Sequence, residues 1–315
     1  MDFAVVTTIY NDRNEIEDLL SNIAMQTYPP SQIVIADGGS NEETISFVNK
    51  IIKEYNLPIK YLTGKRLNIA EGFNEAINST NFEFIAIVAV GNKYPENYFE
   101  ILVNTLEKEK FDYVYPPFKG QDNNEFSKVY NQVMLGNNRG NYLPIASNHG
   151  VLIKKRVFVE MGFFYENFVY AGEDEEFYKK ISNNGYKGRL IEKTMVEWDT
   201  PRSWKAYKRQ VKVYTIARMQ IYNFIEIVNK DKKKFIYAIG LLSAICLLII
   251  FKFNLMGLGL MIIFICINLI KCIQKGILFT AIKNASFLLP IYYYSTQCKY
   301  FRKKYHVNDM HRRKV

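Results

Sequence analysis

The chain has 315 residues, 49% of them hydrophobic and 15% aromatic, with a formal net charge of +10. This apolar content excludes a disordered chain, and the length allows one or two domains. Residues 1–199 carry 20 basic and 28 acidic side chains, whereas residues 200–315 carry 21 and 3. Positive charge set beside and between long apolar runs fits an anionic membrane surface, so nucleic acid is set aside as a partner.

From the N-terminus, strand and helix patterns alternate. Residues 1–10 read as a strand rather than a signal peptide, with its core at 3–7. Asn11 or Asp12 can cap a helix whose apolar positions Ile16, Leu19, Leu20, Ile23 and Ala24 follow the helical period. After Pro29 and Pro30 comes a short buried strand at 33–36, then a helix with Ile45, Val48, Ile51, Ile52 and Tyr55 inward. A strand at 59–62, a helix near 70–78, a strand at 84–90 and a helix from 95 to about 108 follow. This alternation predicts an α/β fold: a mostly parallel sheet flanked by helices, with ligands at the carboxyl ends of the strands.

The strand ends are polar. The first carries Thr7-Thr8-Ile9-Tyr10-Asn11-Asp12, the second Asp37-Gly38-Gly39-Ser40-Asn41. The glycines permit a tight turn and close backbone approach, and Asp37 can accept hydrogen bonds from a ribose or a base. The same segment also suits a plain loop and helix cap. Further along, Gly172-Glu173-Asp174-Glu175-Glu176-Phe177 crowds four carboxylates at the start of a helix. Crowding raises at least one pKa and marks a candidate general base, although carboxylates also suit the positive end of a helix dipole.

Residues 235–270 contain no acidic side chain and a single basic one, Lys252. One helix of that length would be about 54 Å long at ~1.5 Å per residue, so a break near Lys252-Phe253-Asn254 predicts two membrane spans, 235–251 and 255–270. Lysines before the first span and a basic tail imply an even number of crossings with both ends cytoplasmic. The stretch 276–294 is then interfacial or re-entrant, a third crossing being the alternative. Before the spans, Trp204, Tyr207, Val211, Tyr214, Ile221 and Ile225 recur near helical spacing, with Lys205, Lys208, Arg209 and Lys212 largely on other faces. That is the pattern of an in-plane amphipathic helix, or of one packed on its own domain. Cys246, Cys266, Cys272 and Cys298 all lie in this C-terminal part. The remainder therefore has no disulfide framework, which is compatible with a reducing cytoplasm.

Taken in order, these motifs resemble a family 2 inverting glycosyltransferase with the GT-A nucleotide-sugar-binding fold, over roughly residues 3–205. Val5 to Asp12 is similar to the family's opening strand and loop. Ile33 to Ser40 resembles its second strand and nucleotide-binding aspartate, and Asn68 to Ile77 the segment before the diphosphate-binding strand. Ala171 to Glu176 resembles the acidic motif that supplies the base. The succinoglycan-type branch, with C-terminal membrane segments, looks closest. The resemblance implies a GT-A domain at 1–200, a basic juxtamembrane helix at 201–234, a membrane domain at 235–294 and a basic cytoplasmic tail at 295–315. It implies a multi-pass protein of the cell membrane with its catalytic domain in the cytoplasm. Its partners would be a nucleoside-diphosphate-sugar donor and a lipid-linked or surface-glycan acceptor. Asp174, with Glu173 beside it, would be the catalytic site; Thr8, Tyr10, Asp37, Asn74 and Arg202 would bind the nucleotide sugar.

The chain departs from the family pattern at one point. Where an aspartate that holds a divalent cation, Mg or Mn, is expected, Val88-Ala89-Val90-Gly91-Asn92 places Ala89. Three explanations compete. Arg202, Lys205 or Arg209 clamp the diphosphate without a tightly held metal. Alternatively, Glu197, Asp199 or His149 substitute as ligands. Or the chain is a non-catalytic scaffold or nucleotide-binding protein of a polysaccharide-assembly complex.

Overall fold

The computed structural model describes residues 1–108, 110–135, 145–168, 171–250 and 255–297. Two compact units divide the chain. Met1–Gln121 with Tyr142–Asp199 form the first, and Asp122–Asn141 with Thr200–Val315 the second.

The strands of the first unit are β1 (Phe3–Ile9), β2 (Gln32–Asp37), β3 (Ile59–Leu62), β4 (Phe84–Val88), β5 (Tyr113–Tyr115), β6 (Phe118–Gly120), β7 (Gly150–Lys154), β8 (Gly188–Leu190) and β9 (Val196–Trp198). Seven of them make one sheet in the order β3-β2-β1-β4-β7-β5-β8, while β6 and β9 pair separately in parallel. Strands β1 to β4 are mutually parallel, as the alternation predicts. The strand β7 is antiparallel to both neighbours, with Val88 opposite Gly150 and Phe84 opposite Lys154. Its first residue is thereby held against the carboxyl end of β4.

Successive strand side chains point to opposite faces of a sheet, and here both faces are covered. Phe3, Val5, Ile33, Ile35, Ala86 and Val88 meet α1 (Arg13–Ala24), α2 (Glu42–Tyr55) and the later α4. Ala4, Val6, Val34, Ala36, Ile85 and Ile87 meet α3 (Ile69–Asn78) and the later α6 and α7. The remaining helices to position 199 are α4 (Tyr98–Lys108), α5 (Glu125–Met134), α6 (Lys155–Met161) and α7 (Glu173–Asn183). The strand read at 84–90 stops at Val88, since Ala89 to Asn92 turn away with Gly91 at φ 78°.

The helix α7 is fixed by its apolar stripe. Phe177 and Ile181 are fully buried, and Phe177 stacks on Phe158 at 4.7 Å and meets Phe164 at 4.9 Å. Residues three and four apart share a helix face. Glu173 is thus drawn inward above Phe177, and Asp174 lies above Phe177 and Tyr178.

The second unit contains α5 with α8 (Trp204–Ile221), α9 (Phe224–Lys230), α10 (Lys232–Ile250), α11 (Leu255–Lys275) and α12 (Ile277–Thr296). Residues 122–135, which the sequence reading assigns to the first domain, pack here. Tyr130 and Val133 of α5 meet Tyr207 of α8 and Ile282 of α12, and the Tyr130 hydroxyl donates to Gln210 at 2.8 Å.

One expectation for this unit is corrected: among the described residues no helix is long and apolar enough to cross a membrane. Of the stripe read along α8 and beyond, Tyr207 is buried against α5 and α12 whereas Tyr214 and Ile225 are exposed, and Ile216 and Met219 of α8 pack with α9 and α12. The break read near 252–254 lies outside the described residues. The stretch at 276–294 is a continuous helix, α12, that carries Pro290 inside it.

Replacing Phe177 with Ala should leave a cavity beside Phe158 and Phe164 and cost about 3–5 kcal/mol. A denaturant titration of the two proteins measures it.

Candidate active site

The first unit gathers its polar residues at the carboxyl ends of β1, β2 and β4. Asn11, in the left-handed region at φ 60°, ties the first two ends together. Its N–H donates to Ser40 Oγ at 2.8 Å, and its Oδ1 accepts from the Asn41 N–H at 3.0 Å. Asp37 is fully buried: its Oδ1 accepts from the N–H groups of Gly39 and Ser40, and its Oδ2 from the Tyr61 hydroxyl. The carboxylate therefore shapes the turn, and Gly39, at φ 98°, allows it to close. Tyr10 stands 60% exposed at the rim and can offer its ring to a base.

Thr8 lies against the first turn of α3, where a Cβ on residue 72 would come within 2.3 Å of its hydroxyl. Only glycine leaves room for that contact. Asn74 is buried and committed to the 164–166 segment: its amide donates to Phe164 O and Glu166 Oε1, both at 2.9 Å, and its Oδ1 accepts from the Phe164 N–H. Arg202 belongs to the second unit, where its carbonyl accepts from Asn124. The structure thus brings together Thr8, Tyr10 and Asp37, and places Asn74 beneath and Arg202 outside this unit.

Residues preceding β7 carry the acidic cluster to this same edge. Ser147 Oγ donates to Asp174 Oδ2 at 2.9 Å, and the Glu175 N–H donates to Asp174 Oδ1 at 2.7 Å. Asn148 lies 3.5 Å from Glu173 Oε1 and accepts from the Tyr178 hydroxyl. His149 sits between the rings of Phe118 and Trp198, at 5.1 and 5.2 Å, with its Nδ1 3.1 Å from the Asn92 amide nitrogen. Accepting from that amide puts the imidazole proton on Nε2. The Tyr94 hydroxyl locks the strand end, donating to His149 O at 2.7 Å and accepting from the Ala89 N–H.

Burial dominates the titration of this cluster. It pushes the Glu173 carboxyl up to about 8, with the neighbouring Asp174 adding to the rise, and leaves Glu173 Oε2 without a hydrogen-bond partner. Glu176 is also raised, chiefly by burial. Burial lowers His149 to about 4 against the pull of Asp174, so the ring is neutral at pH 7. At neutral pH Glu173 is mostly protonated. Asp174, half-buried and held by two donors, is then placed to accept a proton from a third group.

The donor set does not fit a divalent cation. Ala89 presents a methyl group, His149 Nδ1 is engaged by Asn92, and Glu197 pairs with Lys119 at 2.8 Å. Asp199 lies against Gly91. Among the described residues no group of three or more His, Cys, Asp or Glu side chains could hold a metal ion.

Sequence reading passed over Ser147, Asn92 and Arg66. The first two carry no motif of their own and matter only through residues far off in the chain. Arg66 had a signal: a cation in the loop after the third strand, where its backbone lies against the Gly39 turn.

Residues 4–166 match the family described as Glycosyl transferase family 2. The chain belongs to that family. The matched stretch holds β1 to β4 and their polar ends and stops before the acidic cluster. A 90-residue stretch is 28% identical to the poly(ribitol-phosphate) beta-N-acetylglucosaminyltransferase TarS of Staphylococcus aureus, covering 28% of this chain and 16% of that protein. The chain thus aligns with less than a fifth of that relative. Among solved structures, S. aureus TarS 1-349 in complex with UDP superposes with a TM-score of 0.52 at 18% identity, covering 70% of this chain and 66% of that one. The mannosyltransferase PcManGT from Pyrobaculum calidifontis, in complex with GDP-Man and Mn2+, gives 0.68 at 16% identity, covering 94% and 87%. These likenesses establish a GT-A-type fold for this family 2 chain.

The raised Glu173 predicts a pH dependence of stability. Folded protein holds a proton on Glu173 up to about pH 8, whereas the unfolded chain releases it near 4.5. Its contribution is fully present below 4.5 and is lost as pH rises through about 8. His149 acts in the opposite sense: its contribution is present above about 6.5 and is lost as pH falls through about 4. Glu173→Gln should flatten the decline of melting temperature between pH 6.5 and 8, as thermal melts across that range would show.

Proposed function

We propose that this chain transfers a sugar from a nucleoside-diphosphate-sugar to a hydroxyl of a glycan or lipid-linked acceptor, with inversion, and that Asp174 is the general base. The observation that carries the reading is the placement of Asp174. It stands at the carboxyl edge of the sheet, held by Ser147 and its own helix turn, within the unit that carries the Thr8, Tyr10 and Asp37 loops. In the transfer, Asp174 takes the proton of the acceptor hydroxyl as its oxygen bonds to the anomeric carbon. The bond to the diphosphate breaks on the far side, and its electron pair leaves with the nucleoside diphosphate. Protonated Glu173 leaves Asp174 free of a second negative charge at its side.

No cation step enters this chemistry, because the side chains present do not form a holding set. Arg66, exposed beside the Gly38–Gly39 turn, is the candidate to bind the diphosphate. The second unit supports an acceptor met at a membrane. Ile236, Ile239 and Leu242 on α10, with Ile262 and Ile263 on α11, are exposed by 50 to 59% next to Lys232 and Lys233. Contiguous exposed apolar surface beside basic side chains supports attachment at the cytoplasmic face of a membrane. TarS, a poly(ribitol-phosphate) glycosyltransferase by name, supports a surface-polymer acceptor.

The absence of a carboxylate at position 89 favours a second reading, a nucleotide-binding scaffold without turnover. Transfer from a panel of nucleotide sugars to membrane acceptors separates the two. Asp174→Asn should lower turnover about 10²- to 10⁴-fold with nucleoside-diphosphate affinity unchanged by calorimetry. Full activity in that variant removes Asp174 as the base, and binding without turnover in the wild type favours the scaffold. Dialysis against a chelator should leave most of the activity in place.

A further inference from the structure

Residues 231–297 contain a single acidic side chain, Asp231. That carboxylate is already taken: it accepts from Lys234 at 2.7 Å and from the Tyr294 hydroxyl at 2.8 Å, and pairs with Arg218 at 3.4 Å. Any other cation of this stretch has to find its counter-charge outside it.

Three lysines from three helices share one place in that unit. The Tyr237 hydroxyl of α10 donates to Asn284 Oδ1 of α12 at 3.2 Å, and the Asn284 amide donates to Asn268 Oδ1 of α11 at 2.7 Å. Lys233 is one turn before Tyr237, Lys271 is one turn beyond Asn268, and Lys283 adjoins Asn284. Partial burial, with added repulsion from Lys271 and Lys233, lowers the Lys283 pKa. The Lys283 ammonium also lies 5.6 Å from the Phe287 ring. Among the described residues none of the three has a carboxylate partner.

Clustered like charges without a counter-ion are unfavourable, and an external anion removes the cost. Exposed apolar side chains of α10 and α11 adjoin the cluster, so the complementary anion is one attached to hydrocarbon. We infer that Lys233, Lys271 and Lys283 form a binding site for the phosphate of an anionic membrane lipid. The inference rests on the proposed membrane attachment and adds to it a specific headgroup site.

Vesicle flotation of the full chain tests it, with phosphatidylcholine alone and with phosphatidylcholine containing phosphatidic acid. The wild type should prefer the anionic vesicles. Replacing all three lysines with Gln should erase that preference, about fivefold per lysine and on the order of a hundredfold together, while binding to phosphatidylcholine stays the same. The triple Arg variant should restore it. An undiminished preference in the Gln variant overturns the site, as does a wild type that floats equally with both vesicles. Abolition of the preference by millimolar inorganic phosphate at constant ionic strength overturns the lipid as its source. A wild type that floats with neither vesicle removes the membrane attachment itself, and the site with it.

Discussion

Because β7 runs antiparallel between β4 and β5, the residues that precede it are delivered to the carboxyl end of β4. A parallel strand there would have put Ser147, Asn148 and His149 at the opposite edge of the sheet. Instead Ser147 reaches Asp174, Asn148 reaches Glu173, and His149 meets Asn92. The candidate site is assembled by that single reversal of direction, supported on one side by the buried aromatic stack of Phe158, Phe164 and Phe177.

The electrostatic consequence is a division of labour among carboxyl groups adjacent in sequence. Glu173 is buried on the face of α7 that carries Phe177, whereas Asp174, next in sequence, is only half-buried. Low dielectric then favours the neutral form of the first, and hydrogen bonds from Ser147 and the Glu175 N–H fix the second. The four-carboxylate motif is therefore not a uniformly acidic patch. One member is an embedded neutral acid, and another is held by two donors at the carboxyl edge of the sheet.

The helical unit obeys a different constraint. Its apolar surface is only partly used internally, since α8 and α5 pack on α12 while much of α10 and α11 stays exposed. Polar contacts are concentrated at the Asp231 cluster and the Tyr237–Asn284–Asn268 contacts.

Much of this was legible from residue order. Local periodicity marked β1 to β4 and α1 to α4 because hydrophobic spacing and turn residues are short-range signals. The glycines at 38 and 39 and the acidic helix start were visible for the same reason. What could not be read there depends on partners distant in the chain. Asp37, read as an acceptor for a ligand, also accepts from Gly39, Ser40 and Tyr61 and so shapes its own turn. Asn74 looked like a donor contact, yet it holds Phe164 and Glu166, ninety residues on. The stripe along α8 is used in part inside the helical unit, where Tyr207 packs against α5 and α12 while Tyr214 stays exposed. The sequence alone determined the alternation, the family pattern and the charge division between the two parts. The tertiary structure decided which carboxyl is buried, which is held at the cleft, and which cations are left without a partner. Burial and hydrogen bonding are properties of the neighbours that folding supplies.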